Sequence, residues 1–304
     1  MCLRWFRPRL KTRLRFHGRI LSEDIMLLGD FKIQLLPDGD VLVDGGTMFG
    51  AIPKTIWSRL VECDGRNRIL LAMNCLLVET PEKRILIEAG AGAECATDAK
   101  RLDEFVGVKG MRHRMEEAGL KGGDIDMVIF SHLHYDHVGG VLENIGGKMI
   151  PVFPRAEYVV QAGEWRDAFN TNEFTKDGYD ERALTALKEA RRMRLIEGDA
   201  EICPGVRALV TGGHTAFHQI ILIESQGKKA AFLGDLIPTA AHVPLAHIMA
   251  LDVSPLQALE AKRRFLRQAA AENILCFFSH ERGRPAGYVR GGEGGYFLEE
   301  RRDG

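Results

Sequence analysis

The chain of 304 residues shows no excess of either charge, no paired cysteines and no apolar run long enough to cross a bilayer. Lys plus Arg (41) nearly balances Asp plus Glu (42), so no overall field draws it to nucleic acid, a membrane surface or an acidic ligand. The expected partner is a small molecule. The six cysteines (Cys2, Cys63, Cys75, Cys95, Cys203 and Cys276) are scattered without a CxxC pair. That argues for reduced thiols, mostly in the core, and against a disulfide framework or a cysteine-based zinc site. The longest apolar stretches are broken by Gly, Pro or charge before the roughly 18 to 20 residues that a membrane helix needs. No internal repeat, low-complexity tract or Pro/Gly/Ser linker is visible. These absences lead to the expectation of a soluble, cytoplasmic protein with one domain over residues 27–304.

Residues 1–26 have a different character. Arg4, Arg7, Arg9, Lys11, Arg13, Arg15 and Arg19 crowd a segment without the apolar stretch or small-residue cleavage site of a signal peptide. The expectation is a disordered basic extension, or residues upstream of a start at Met26, rather than a nucleic-acid-binding arm.

From about Gly29 the pattern becomes regular. Phe31 to Leu36 and Val41 to Val43 read as strands joined in a hairpin by Pro37-Asp38-Gly39-Asp40. Leu70 to Val78 and Arg84 to Ile87 read as a second hairpin around Thr80-Pro81-Glu82-Lys83. Ala99 to Ala118 has the spacing of one or two amphipathic helices. Asp126 to Phe130, Glu157 to Gln161, Val206 to Val210, Gln219 to Glu224, Lys229 to Leu233 and Ile274 to Phe278 read as strands, and Asp180 to Met193 and Pro255 to Ala271 as helices. Three of these strands end at a His or an Asp. Such a chain is α/β, with polar residues gathered on loops over a rigid sheet.

Ser131-His132-Leu133-His134-Tyr135-Asp136-His137-Val138-Gly139-Gly140 is the segment that carries chemistry. A lone histidine is more often a surface or hydrogen-bonded residue than a ligand. Four nitrogen and oxygen donors within six residues, after a strand and before a Gly turn, are a metal-binding pattern suited to Zn, Fe, Mn or Co. In an extended segment His132 and His134 share a side, and Asp136 and His137 at the following bend can reach a second ion.

This HxHxDH segment resembles the signature of the metallo-β-lactamase superfamily, and further matches follow in order. Thr211-Gly212-Gly213-His214-Thr215 is similar to the family's second ligand segment, Leu233-Gly234-Asp235 to its bridging aspartate, and Phe278-Ser279-His280 to its last histidine. The resemblance implies an αββα sandwich of two mixed β-sheets flanked by helices, with the site at one edge. It implies that His132, His134 and His214 hold one divalent ion, Asp136, His137 and His280 a second, and that Asp235 bridges them. Zn is the first choice of metal, with Fe, Mn or Co compatible.

SHLHYDHVGG and Asp44-Gly45-Gly46-Thr47-Met48-Phe49-Gly50 look like the branch that contains N-acyl homoserine lactonases and methyl parathion hydrolase-like enzymes. That resemblance places Met48 and Phe49 near an apolar substrate pocket, although both equally fit a core. Two residues depart from the lactonase pattern: Pro238 stands where lactonases carry a tyrosine, and Glu88 where the family carries an aspartate. His242 is a candidate replacement donor, although a buried histidine of this kind is more often structural. Ser131, Thr215 and Ser279, each beside a ligand, are candidates to orient the imidazoles.

The implied activity is that of a binuclear hydrolase in which a metal-bridging hydroxide attacks a lactone or other ester carbonyl, an acyl homoserine lactone being the first candidate. Asp136 and Asp235 are the expected catalytic carboxylates. The alternative is phosphoester hydrolysis of an organophosphate triester or a phosphodiester, with β-lactam hydrolysis third in order. No nucleic acid or membrane is expected as a partner, and a homodimer is left open.

Overall fold

The computed structural model describes residues 25–96, 104–292 and 294–299. The basic segment expected as an extension lies outside these residues, except for Ile25 and Met26. Those two belong to the first strand, Ile25–Leu28, paired with Phe31–Asp44, so regular structure begins two residues before the expected boundary.

Among the described residues the strands form two large sheets and a small hairpin, Leu142–Ile145 with Lys148–Pro151. The first sheet has eight strands. In spatial order seven of them run Ile25–Leu28, Phe31–Asp44, Arg68–Glu79, Arg84–Ile87, Met127–Ile129, Glu157–Gln161 and Met193–Ile196, and Phe105–Val106 also pairs with Phe31–Asp44. It is antiparallel up to Arg84–Ile87 and parallel beyond. The second sheet has seven strands in chain order: Ala200–Cys203, Val206–Val210, Gln219–Ser225, Lys228–Phe232, Leu275–Phe277, Ala286–Gly292 and Gly295–Glu299. Its one parallel pair is Lys228–Phe232 with Leu275–Phe277. Both sheets are therefore mixed.

The period of two along each strand builds the layers. In Arg68–Glu79, Leu76 and Val78 face the second sheet, where they join Ile85, Ile87 and Ile129 against Val206, Ile221, Phe232 and Phe277. Cys75 and Leu77 face the other way, packing with Met111 and Met115 of helix Met111–Glu117 and with Leu184 and Leu187 of helix Glu181–Ala190. On the far side Ala261, Phe265, Leu266 and Ala269, at helical spacing in Pro255–Glu272, cover Ile220, Leu222, Ala231 and Cys276. The result is the expected αββα sandwich. Strands buried on both faces read as nearly continuous apolar runs, which is why they were legible by composition.

The second expected hairpin forms, with Thr80 N–H donating to Lys83 O at 2.9 Å. The first does not. Phe31–Asp44 is a single strand whose two halves pair with the same partner, Pro37 opposite Asn74 and Asp40 opposite Ala72. Three steps on one strand against two on the other make a one-residue bulge, which uses the same residue types as a turn. The bulge points Asp38 inward, where Oδ2 accepts from Gly92 N–H at 2.8 Å and Oδ1 from Gly110 N–H at 3.0 Å. Of the helical stretch expected over Ala99 to Ala118, residues 99–103 lie outside the described residues and Met111–Glu117 is helical.

Asp38 thus anchors two loops on the sheet. Replacing it with Ala leaves two buried N–H groups without acceptors, and the expected loss is about 2 kcal/mol or more. A lower urea midpoint with an unchanged slope checks this.

Candidate metal site

The strand ends bring the sequence-predicted residues together. Met127–Ile129 lies between parallel neighbours and hands the chain through Phe130 and Ser131 to His132 and His134. One helical turn, Tyr135–Val138, then carries Asp136 and His137. Gly139 and Gly140 lie flush against the backbone after Arg84–Ile87: a β-carbon on either would fall 2.1 Å from Ala91 O or 2.0 Å from Ala89 O. His214 follows Val206–Val210. Asp235 and His280 follow the two parallel strands of the second sheet, tied by Leu233 N–H to Phe277 O. Bonds between the sheets close this end of the sandwich. Gln219 donates through Nε2 to Phe130 O at 2.7 Å, and Asn74 through Nδ2 to Phe278 O at 2.9 Å.

Three sets have donor atoms within 4.8 Å of one another: His132, His134 and His214; His132, His137 and Asp235; and Asp136, His137 and His280. Asp235 stands in the middle, with Oδ2 3.3 Å from His214 Nε2 and Oδ1 3.1 Å from His280 Nε2 and 3.4 Å from His137 Nε2. Asp136 Oδ2 is 3.6 Å from His280 Nε2. His134 Nδ1 and His214 Nε2 face each other at 3.1 Å. All seven residues named from the sequence are in this cluster.

Three of the imidazoles are hydrogen-bonded from outside, and the fourth, His137, has a carboxylate at longer range. His214 Nδ1 meets Asp252 Oδ1 at 2.9 Å, His280 Nδ1 donates to Ala72 O at 2.8 Å, His132 Nδ1 pairs with Ser131 Oγ at 2.9 Å, and His137 Nδ1 stands 3.5 Å from Glu88 Oε2. The inner nitrogens therefore point at one another. His132 Nε2 and His137 Nε2 are buried with no hydrogen-bond partner among the described residues. Orphaned buried nitrogens in a donor set of imidazole and carboxylate fit a cation, since such atoms otherwise find partners.

The electrostatics have the same sense. Burial drives the His132 and His134 pKa values well below the usual histidine range, which keeps lone pairs available. Burial opposes charge on Asp235 too, but His280, His137 and His214 outweigh it and hold the carboxyl well below its usual pKa. The aspartates in turn raise the pKa values of His137, His214 and His280 against the opposing effect of burial.

Met48, Phe49 and His242 are all buried and pack on one another. Asp44 caps the short helix Gly45–Phe49 through Gly46 N–H and Thr47 N–H, and Gly50 takes φ 53° where a β-carbon would fall 2.6 Å from Ile248 O. Those contacts account for the Asp44-to-Gly50 motif. His242 stacks on Phe49 at 4.6 Å, donates through Nε2 to Met48 O at 2.8 Å and pairs through Nδ1 with Thr239 Oγ1 at 2.8 Å. Both nitrogens are used within the protein, and burial lowers its pKa to about 3. Of the three hydroxyls, only Ser131 meets an imidazole. Thr215 donates to Glu164 at 2.6 Å, and Ser279 Oγ lies 3.0 Å from Asp235 Oδ1.

Sequence reasoning missed Asp252, Glu164, Lys262 and His218. His218 accepts Asp235 N–H at Nε2 and pairs through Nδ1 with Thr211 Oγ1 at 2.7 Å; its place four residues after His214 was the available signal. Lys262, buried on Pro255–Glu272, donates to Pro244 O and His247 O and so holds the loop that carries Asp252. Neither Asp252 nor Lys262 has a local signal, because their partners are remote in sequence. Asp252→Ala removes the outer hold on His214 and is expected to weaken metal uptake about 10- to 100-fold, which a competition titration against a chromophoric chelator measures.

The model of the metallo-beta-lactamase superfamily matches residues 70–280. An N-acyl homoserine lactonase of Bacillus thuringiensis is 28% identical over 266 residues, covering 82% of this chain and 93% of the relative. A probable metal-dependent hydrolase from Staphylococcus aureus superposes with a TM-score of 0.80 at 31% identity, over 91% of this chain and all of the other. AidC, a dizinc quorum-quenching lactonase, superposes with a TM-score of 0.75 at 22% identity over 92% of this chain and 97% of its own, a likeness of fold. The chain is a metallo-hydrolase that belongs to the metallo-beta-lactamase superfamily, in its lactonase-like branch.

Proposed function

We propose that the protein is a two-metal hydrolase of lactones or other esters bearing an apolar group. The observation that carries this reading is the pair of orphaned nitrogens, His132 Nε2 and His137 Nε2, turned toward a shared aspartate between two ligand sets. His132, His134 and His214 would hold one ion, Asp136, His137 and His280 the other, and Asp235 both. When bound, two such ions acidify a water and polarise the scissile carbonyl. Zn is the first choice for these donors, with Fe, Mn or Co also suited.

The chain's own residues do the rest. Asp235 is locked by the Ser279 hydroxyl and by its own N–H on His218, so its two oxygens keep their directions. Asp136 is the more exposed of the two cluster aspartates, with 16% of its side chain accessible against 8% for Asp235. That access suits it to accept the proton released by water and pass it to the departing alkoxide. The imidazoles, fixed from outside, hold the site rigid during turnover.

The lactone preference draws support from the lactonase relative, which matches this chain over nearly its whole length. Pro238, where lactonases have tyrosine, offers no side-chain donor, and its carbonyl accepts His280 N–H at 2.8 Å. Leaving-group stabilisation therefore differs from the lactonase pattern, and a simple ester fits as well as a lactone.

The test is a hydrolysis screen of acyl homoserine lactones, aryl esters, organophosphates, β-lactams and a phosphodiester, on metal-stripped and zinc-reloaded protein. Lactone or ester turnover restored by zinc, and lost by about 10³-fold or more in Asp235→Ala as a catalytic centre would be, is expected. Phosphoester turnover alone would replace this reading by phosphoester hydrolysis, and turnover by stripped protein would contradict both.

A further inference from the structure

Glu164 lies on the helix Ala162–Ala168, and its side chain is buried. Its carboxylate meets three donors: two come from the segments that carry His132, His134 and His214, and the third is Tyr179, whose ring approaches His134. Oε1 accepts the N–H of Leu133, the residue between His132 and His134, at 3.1 Å. It also accepts the hydroxyl of Tyr179 at 3.3 Å. Oε2 accepts the hydroxyl of Thr215, the residue after His214, at 2.6 Å. The Tyr179 ring stands edge-on to the His134 imidazole, with centroids 5.1 Å apart. Gly178 lies so close beneath that a β-carbon there would come within 2.8 Å of the His134 ring.

One buried carboxylate therefore ties together three segments that are far apart in sequence, and each carries or touches a histidine of the same ligand set. His132 and His134 come from the first sheet and His214 from the second, so their spacing depends on the bonds that join the two. Leu133 and Thr215 are direct neighbours of those histidines, and Glu164 is the acceptor they share. The bond from Thr215 is the short one of the three, and with the other two it fixes the spacing of the segments.

We propose that Glu164 is a positioning residue for the half-site of His132, His134 and His214, and that it sets how tightly that half-site holds its ion. The inference rests on the two-ion reading above. Glu164 bonds to no reacting group, and Asp136, His137 and His280 make none of its three bonds. Its removal therefore weakens one ion and spares the other.

Cobalt(II) titration of metal-stripped protein, followed by absorbance and by dialysis with elemental analysis, tests this. The wild type is expected to take up two ions per chain. Glu164→Ala is expected to bind one of them about 10- to 100-fold more weakly, with the other unchanged. Glu164→Gln, whose amide oxygen can still accept from Leu133 while its nitrogen donates to a reoriented Thr215 hydroxyl, restores affinity to within a few-fold. Should Glu164→Ala fail to fold, Glu164→Asp withdraws the carboxylate by one methylene and is expected to show the same one-ion loss. Two ions at wild-type affinity in Glu164→Ala, or in Glu164→Asp should the alanine variant not fold, would overturn the role of Glu164 and leave the two-ion reading intact. Uptake of fewer than two ions by the wild type would contradict the two-ion reading, and the role of Glu164 with it.

Discussion

The site depends on convergence: five imidazoles and two carboxylates are packed, mostly buried, at one end of a β-sandwich, with lone pairs turned toward each other. Such a cluster is unfavourable on its own, because burial penalises charge and two nitrogens are left without partners. Outside bonds hold it in place. Ser131, Asp252 and the carbonyl of Ala72 fix outer nitrogens, Glu88 faces His137 at 3.5 Å, and Glu164 and His218 hold the backbone at Leu133 and Asp235. A cation would turn that stored repulsion into binding energy, which is the sense in which fold and site are one structure.

The architecture delivers this convergence through strand ends. The turn from antiparallel to parallel pairing in the first sheet puts Met127–Ile129 in the interior, so the HLHYDH segment leaves from a fixed platform. The parallel pair of the second sheet does the same for Asp235 and His280. Glu88 ends the neighbouring strand Arg84–Ile87 in the left-handed region, at φ 65°. That conformation is uncommon for a glutamate and accompanies a carboxylate that faces both Ser131 N–H and His137. The longer side chain at this position, a departure noted in the sequence, thus meets the cluster directly.

What was legible in the sequence was local or ordered. The four donors of HLHYDH lie within six residues, and the later ligands follow apolar runs that form strands where expected. The missing parts are those with remote partners. Glu164 looks like any helix-surface glutamate, although Leu133 and Thr215 lie 31 and 51 residues away. Asp252 bonds His214 across 38 residues. Pro37-Asp38-Gly39-Asp40 misled because a bulge and a turn use the same residues, and only the shared partner strand tells them apart. His242 shows the reverse: a histidine that could serve the site is bound at both nitrogens under Phe49.

The proposed function requires this cluster to hold two cations. Anomalous X-ray scattering at the zinc edge, from crystals of the full chain grown with added zinc, tests it most directly. The account predicts two peaks, one among His132, His134 and His214 and one among Asp136, His137 and His280, both beside Asp235. A single peak, or zinc bound only outside this cluster, would contradict it.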